Sequence, residues 1–146
     1  MKRKNISEKT TIFLMALFIL VASASFAMAE VLVIVNPAVP IDEIDTNTLR
    51  DMYLGKKGSW NKDMRVVLTV LKKGAANDEF LKKYMDRTAA QFQGYWNKLL
   101  FTGTGTPPAS FNTEQELVEY VAKTKGAIGY IDSATPHKNV KVLKVK

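Results

Sequence analysis

The stretch VLTVLKKGAANDEFLKKYM, Val67 to Met85, decides how the rest of the chain is read. Its β-branched apolar start predicts a buried strand. Lys72, Lys73 and Gly74 then turn the chain, and Phe80, Leu81, Tyr84 and Met85 recur at the spacing of one helical face. A strand, a glycine turn and a helix start can cradle an anion on free backbone N–H groups. In that reading Lys72 and Lys73 supply charge, Gly74 lets the backbone turn, and the N–H groups of Ala75, Ala76 and Asn77 face an oxyanion. In the plainer reading Asn77 caps a helix beginning about there, and the lysines are solvated. The small side chains leave the N–H groups accessible but bring no hydroxyl, so from these residues alone the plainer reading is the stronger.

The strand extends back to Met64, giving MRVVLTVL. Upstream, VLVIV (Val31 to Val35) predicts another buried strand, stopped by Asn36-Pro37. The prolines of PAVPIDEI forbid regular ladders. Asp45 or Thr46 caps a helix carrying Leu49, Met52 and Tyr53 on one face, and Gly55 ends it. Downstream, a helix from near Thr88 carries Phe92, Tyr95, Trp96, Leu99 and Leu100. FTGTGTPPASF is a loop by composition. Asn112 with Gln115 predicts a capping box for a helix holding Leu117, Val118 and Val121, ended by Gly126. AIGYI is a third strand, and VKVLKV (Val140 to Val145) a fourth, alternating like a half-exposed edge whose lysines protect it. The order β-α-β-α-α-α-β-β predicts an α/β sandwich around a small sheet.

The chain has 146 residues, and the first 29, MKRKNISEKTTIFLMALFILVASASFAMA, predict a secretory signal. Lys2, Arg3 and Lys4 precede an apolar core from Thr11 to Ala22, and Ala27-Met28-Ala29 forms a small-x-small cleavage site. The rival reading is a retained membrane anchor. The apolar core is short for a span of about 20 residues, and the Ala-x-Ala ending favours removal. A mature chain from Glu30 to Lys146 has 146 − 29 = 117 residues, enough for one modest core. Its charge is 17 basic against 13 acidic residues, or +4 in place of +7. That balance is too weak and scattered to argue for nucleic acid, and suits small anions or simple solubility. The absence of cysteine excludes disulfides and thiolate chemistry, and fits a bacterial periplasm.

Enzyme chemistry is poorly supplied. The single histidine, His137, sits in the polar turn ATPHKN without nucleophilic partners. No cluster has metal-ligand spacing, so neither a catalytic residue nor a cofactor is expected. Capping and dipole complementarity explain Asp42, Glu43 and Asp45 before a helix start. Trp60, Tyr95, Trp96 and Phe101 offer a stacking platform on paper. Tyr95 and Trp96, however, lie on the apolar stripe of their helix, and Trp60 suits the covering of one end of the core.

Three segments in sequence resemble a known family. MYLGKKGSWN (Met52 to Asn61) resembles the Phe-x-Gly-Lys-x-x-x-Trp segment of phosphate-binding proteins of the PstS kind, with Tyr53 at the Phe position and Gly55, Lys56 and Trp60 matching. KTKGAIGYI (Lys123 to Ile131) is similar to their Thr-Pro-Gly-x-Ile-Gly-Tyr-Val segment, with Lys125 in place of Pro. Between them, VLTVLKKGAANDEF falls where the family carries a strand, Asp-Gly-Ser-Gly-Thr and a helix with an aromatic residue, matched by Phe80. The resemblance covers most of residues 30–146. It implies one lobe of a type II periplasmic-binding-protein fold, a small mixed sheet flanked by helices, exported to the periplasm. It implies a solute-binding component of phosphate ABC transport, with phosphate or another oxyanion as ligand and an ABC permease or other membrane protein as partner. In physical terms, Gly126 suits a helix end and Gly129 a close backbone approach inside a strand.

Two departures qualify that implication. A full receptor closes two lobes around its ligand, whereas residues 30–146 have room for about one. The family's Ser-Gly-Thr becomes Gly74-Ala75-Ala76, and its Asp becomes Lys72. Charge-assisted hydrogen bonds lost in this way are worth about 1.5–3 kcal/mol each. The sequence therefore predicts weak anion binding at Lys72 to Asn77. The alternative is a ligand-free interaction or sensory module on the same lobe, and a homodimer is a third way to rebuild a cleft.

Overall fold

The computed structural model describes residues 30–146, and the predicted leader over residues 1–29 lies outside the described residues. The elements in chain order are β1 (Val31–Val35), β2 (Glu43–Ile44), α1 (Thr46–Tyr53), β3 (Ser59–Asn61), β4 (Met64–Arg65), β5 (Val67–Leu71), α2 (Ala75–Phe80), α3 (Ala89–Phe101), β6 (Ala109–Phe111), α4 (Glu114–Lys123), β7 (Ala127–Asp132) and β8 (Lys141–Val145). Six strands form one mixed sheet in the order β2-β8-β1-β7-β5-β6, and β3 and β4 form a separate hairpin. β1 runs antiparallel to both β7 and β8, from Val31 opposite Asp132 to Val35 opposite Ile128 and Lys141. β5 is parallel to both β7 and β6.

Helices cover both faces because neighbouring residues of β7 point opposite ways. On one face Leu117 of α4 fills the space that a Gly129 side chain would need, 2.5 Å from its ideal Cβ position. On the other, the Tyr130 ring stacks on Phe80 of α2 at 3.9 Å, and Tyr53 of α1 meets Phe80 edge-on at 4.8 Å. All three aromatics are buried. A π-helical turn, Leu81–Met85, continues α2 before Asp86 ends it in the left-handed region. Its extra residue widens the helix, and Leu81, Tyr84 and Met85 all reach the core. α3 packs on the end of α1: the Trp96 indole N–H donates to the Tyr53 carbonyl at 3.2 Å, and the Tyr95 hydroxyl to the Leu54 carbonyl at 2.7 Å.

The α/β class, the flanking helices and the main strands are as the sequence predicts. Several details differ. The single strand over Met64–Leu71 is broken at Val66, whose N–H donates to the Gly58 carbonyl and ties the hairpin instead. α2 begins at Ala75, before Asn77. The loop FTGTGTPPASF gives its last residues to β6, which pairs along β5 from Thr69 opposite Ala109 to Leu71 opposite Phe111. The capping box of α4 is Thr113 with Glu116, one residue on from Asn112 with Gln115. β8 is an inner strand: β2 pairs with it in parallel, and Lys141 and Lys146 bond to Asp42 and Glu43. Leu100 falls off the buried face of α3 and is exposed.

Candidate functional site

The carboxyl ends of β5, β6 and β7 share one rim, because the three strands are parallel. Ligands of open α/β sheets bind outside such ends. The chain leaves β5 there through Lys72, Lys73 and Gly74 and enters α2. Gly74 stands at φ +112°, a backbone state that L side chains rarely adopt, with open space beyond it. Asp45, Thr88 and Thr113 each cap a helix with a side-chain oxygen, whereas α2 starts at Gly74 without one. The N–H groups of Ala75, Ala76 and Asn77 consequently make no backbone hydrogen bond among the described residues.

The predicted residues are contiguous on this rim but not equally accessible. Lys72, Lys73, Gly74 and Ala75 are exposed, while Ala76 and Asn77 are buried. The Lys72 N–H donates to the Phe111 carbonyl at 2.9 Å, which fixes the loop against the end of β6. Asn77 does not cap α2. Its Oδ1 accepts from the Tyr130 hydroxyl at 2.6 Å, and that hydroxyl accepts from the Leu71 N–H at 3.1 Å. Burial pushes the Tyr130 phenol well above its ordinary range; the Leu71 N–H works against this, and the Asp78 carboxylate adds to it. Asp78 stands exposed in the first turn of α2. It suits the helix dipole but opposes an incoming anion.

Beside the loop lies a cavity of about 380 Å³, open between α2, α3 and Pro107-Pro108. Lys72, Asn77 and Ser110 line it with Leu81, Phe92 and Trp96. Sequence reasoning missed this cavity, since its walls come from three segments that only tertiary packing joins. A proline pair leading into a β-branch-poor strand gave no signal of a wall.

The other candidates take structural places. The His137 Nδ1 lies 2.8 Å from the Thr135 carbonyl, and no group of His, Asp or Glu among the described residues is placed to hold a metal. Asp45 caps α1 as predicted, by accepting from the Thr48 N–H and hydroxyl. The aromatic platform is not formed. Trp60 is half-buried at the core's end and donates to the Gly126 carbonyl at 2.8 Å, Trp96 is buried, and Phe101 is 89% exposed.

Solved structures share the fold. A Clostridium perfringens protein assigned as a phosphate ABC transporter substrate-binding protein, with bound phosphate, matches with a TM-score of 0.63 at 18% identity over 80% of this chain and 45% of its own. An ABC-type phosphate transport receptor from Vibrio cholerae matches at 0.58 and 15% identity, over 82% and 48%. PstS from Borrelia burgdorferi matches at 0.52 and 16%, over 81% and 47%. The chain shares its fold with a part of each of these proteins. The chain spans somewhat less than half the length of each. No protein-family model matches the chain, and no curated protein matches it.

The residues that carry the sequence resemblance serve this fold. Gly55 stands at φ +72° under the Trp96 ring, and the Tyr53 hydroxyl donates to the Thr69 carbonyl at 3.1 Å. Gly126 stands at φ +81°, where a Cβ would lie 2.2 Å from the Arg65 carbonyl oxygen. Gly129 makes room for the Leu117 and Thr69 side chains, where a close backbone approach is the sequence expectation. Among the described residues, no helix is long and apolar enough to cross a membrane.

Proposed function

We propose that this chain is an exported solute-binding protein, with a cleaved leader over residues 1–29 and a binding lobe over residues 30–146, that takes phosphate or a related oxyanion weakly. The observation that carries the reading is the uncapped start of α2 at the carboxyl rim of three parallel strands, beside Lys72 and Lys73. The N–H of Ala75 and the two ammonium groups supply the contacts, with the N–H groups of Ala76 and Asn77 behind them. Affinity is modest, because the loop has no hydroxyl and Asp78 opposes the anion. The likeness to phosphate-transport receptors supports a periplasmic place and an ABC permease as partner, without enzymatic activity. Calorimetry of residues 30–146 with phosphate at low salt, against sulfate, tests it. Saturable binding that weakens at least about tenfold in Lys72→Ala/Lys73→Ala supports the loop, since loss of about 1.4 kcal/mol is tenfold. An unchanged affinity would overturn the assignment.

A second reading, an interaction module on the same lobe, draws on Leu100 and Phe101, which leave adjacent apolar side chains exposed at the end of α3. Light scattering tests it: a dimer that Phe101→Ser dissociates favours the second reading, with the exposed end of α3 as the contact.

A further inference from the structure

The Tyr130 hydroxyl accepts from the Leu71 N–H, so its own proton goes to Asn77. That fixes the carboxamide with Oδ1 toward Tyr130 and Nδ2 away from it. Nδ2 makes no hydrogen bond to another described residue, although Asn77 is only 3% exposed. No fully enclosed side-chain nitrogen or oxygen lacks a partner among the described residues, so Nδ2 reaches open space. Asn77 also lines the cavity of about 380 Å³. A buried amide donor held in one orientation beside Lys72 awaits an acceptor atom.

The rest of the cavity is of another character. Leu81, Phe92 and Trp96 give it an apolar wall, and its volume is that of a small organic molecule. Inorganic phosphate would leave that wall uncovered. We infer that the site takes a small organic anion, its charged head on Lys72, the Asn77 amide and the first N–H groups of α2, and its apolar body against Phe92 and Trp96. This rests on the proposed oxyanion reading for the head group and adds the class of ligand. A phosphonate or carboxylate on an aryl or short alkyl body has the required chemistry.

The experiment is calorimetry of residues 30–146 with inorganic phosphate, methylphosphonate and phenylphosphonate, alongside tryptophan fluorescence. The two phosphonates share a head and differ in the body. Phenylphosphonate is expected to bind at least about tenfold more tightly than methylphosphonate, because its ring leaves water for an apolar wall, and to shift the emission of Trp96. Ser110→Phe, which fills the cavity from an exposed strand position, should erase that preference. Asn77→Asp keeps the acceptor for Tyr130 but places a carboxylate at the head group, and should abolish binding of all three. Equal affinity for the two phosphonates, or a phenyl preference that survives Ser110→Phe, overturns the inference and leaves the oxyanion reading standing. Failure of all three probes overturns both.

Discussion

Asn77 illustrates how a single side chain is misread when its partner lies far along the chain. An asparagine at the start of a helical pattern predicts a cap, which is a local matter. Its hydroxyl partner, Tyr130, is 53 residues away and invisible to any local rule. Replacing Tyr130 by Phe leaves the Asn77 Oδ1 and the Leu71 N–H without that hydroxyl. A loss of about 1–3 kcal/mol is expected, read as a lower urea midpoint at unchanged slope. Tyr53 and Tyr130 also set an alkaline limit. Burial raises both phenols above the ordinary value of 10, in Tyr53 with a further push from Tyr130. Folding therefore favours the protonated phenols. Stability is full below about pH 10 and falls as pH climbs from there toward the raised folded values. Melting temperatures between pH 8 and 11.5 should drop steeply at the alkaline end, and less steeply in Tyr53→Phe if the fold is kept.

Among the elements, length decided what could be read. β1, β5, β7 and the helices are long enough for periodicity to show, and each lies close to its predicted place. β2, β3 and β6 have two or three residues apiece and make no pattern. They exist because a neighbouring strand offers free N–H and carbonyl groups. NTEQE shows a different ambiguity, since Asn112/Gln115 and Thr113/Glu116 both fit a capping box. The second frame wins because Glu116 accepts from the N–H groups of both Asn112 and Thr113, at 3.2 and 3.3 Å. Thr113→Ala should cost about 1 kcal/mol, whereas Asn112→Ala should cost little; denaturant curves of the pair distinguish the frames. Gly126→Ala meets both a positive φ and the Arg65 carbonyl. It should cost more than about 2 kcal/mol, with the Trp60 fluorescence reporting a loosened hairpin.

For the molecule as a whole, the fold was largely legible because its anchors are sterically demanding. Gly55 under Trp96 and Gly126 against Arg65 leave little freedom, and so the segments that carry them stand out in the sequence. The candidate site was legible only as a position. The loop's location followed from a strand, a glycine and a helix, but the cavity beside it depends on how α3 and Pro107-Pro108 close over Leu71. No property of any one segment encodes that closure.

The place of β1 has a kinetic consequence. The first of the described strands lies in the interior of the sheet, and its neighbours, β7 and β8, are the last two of them. Val31 must wait for Asp132, and Val33 for Leu143. Closing loops of that length is slow and is rewarded only at the end. The sheet therefore cannot be completed until β7 and β8 are both available, and a chain ending at Thr124 should show no cooperative melt by circular dichroism. Such an order defers assembly of the sheet to the two strands that follow Gly126.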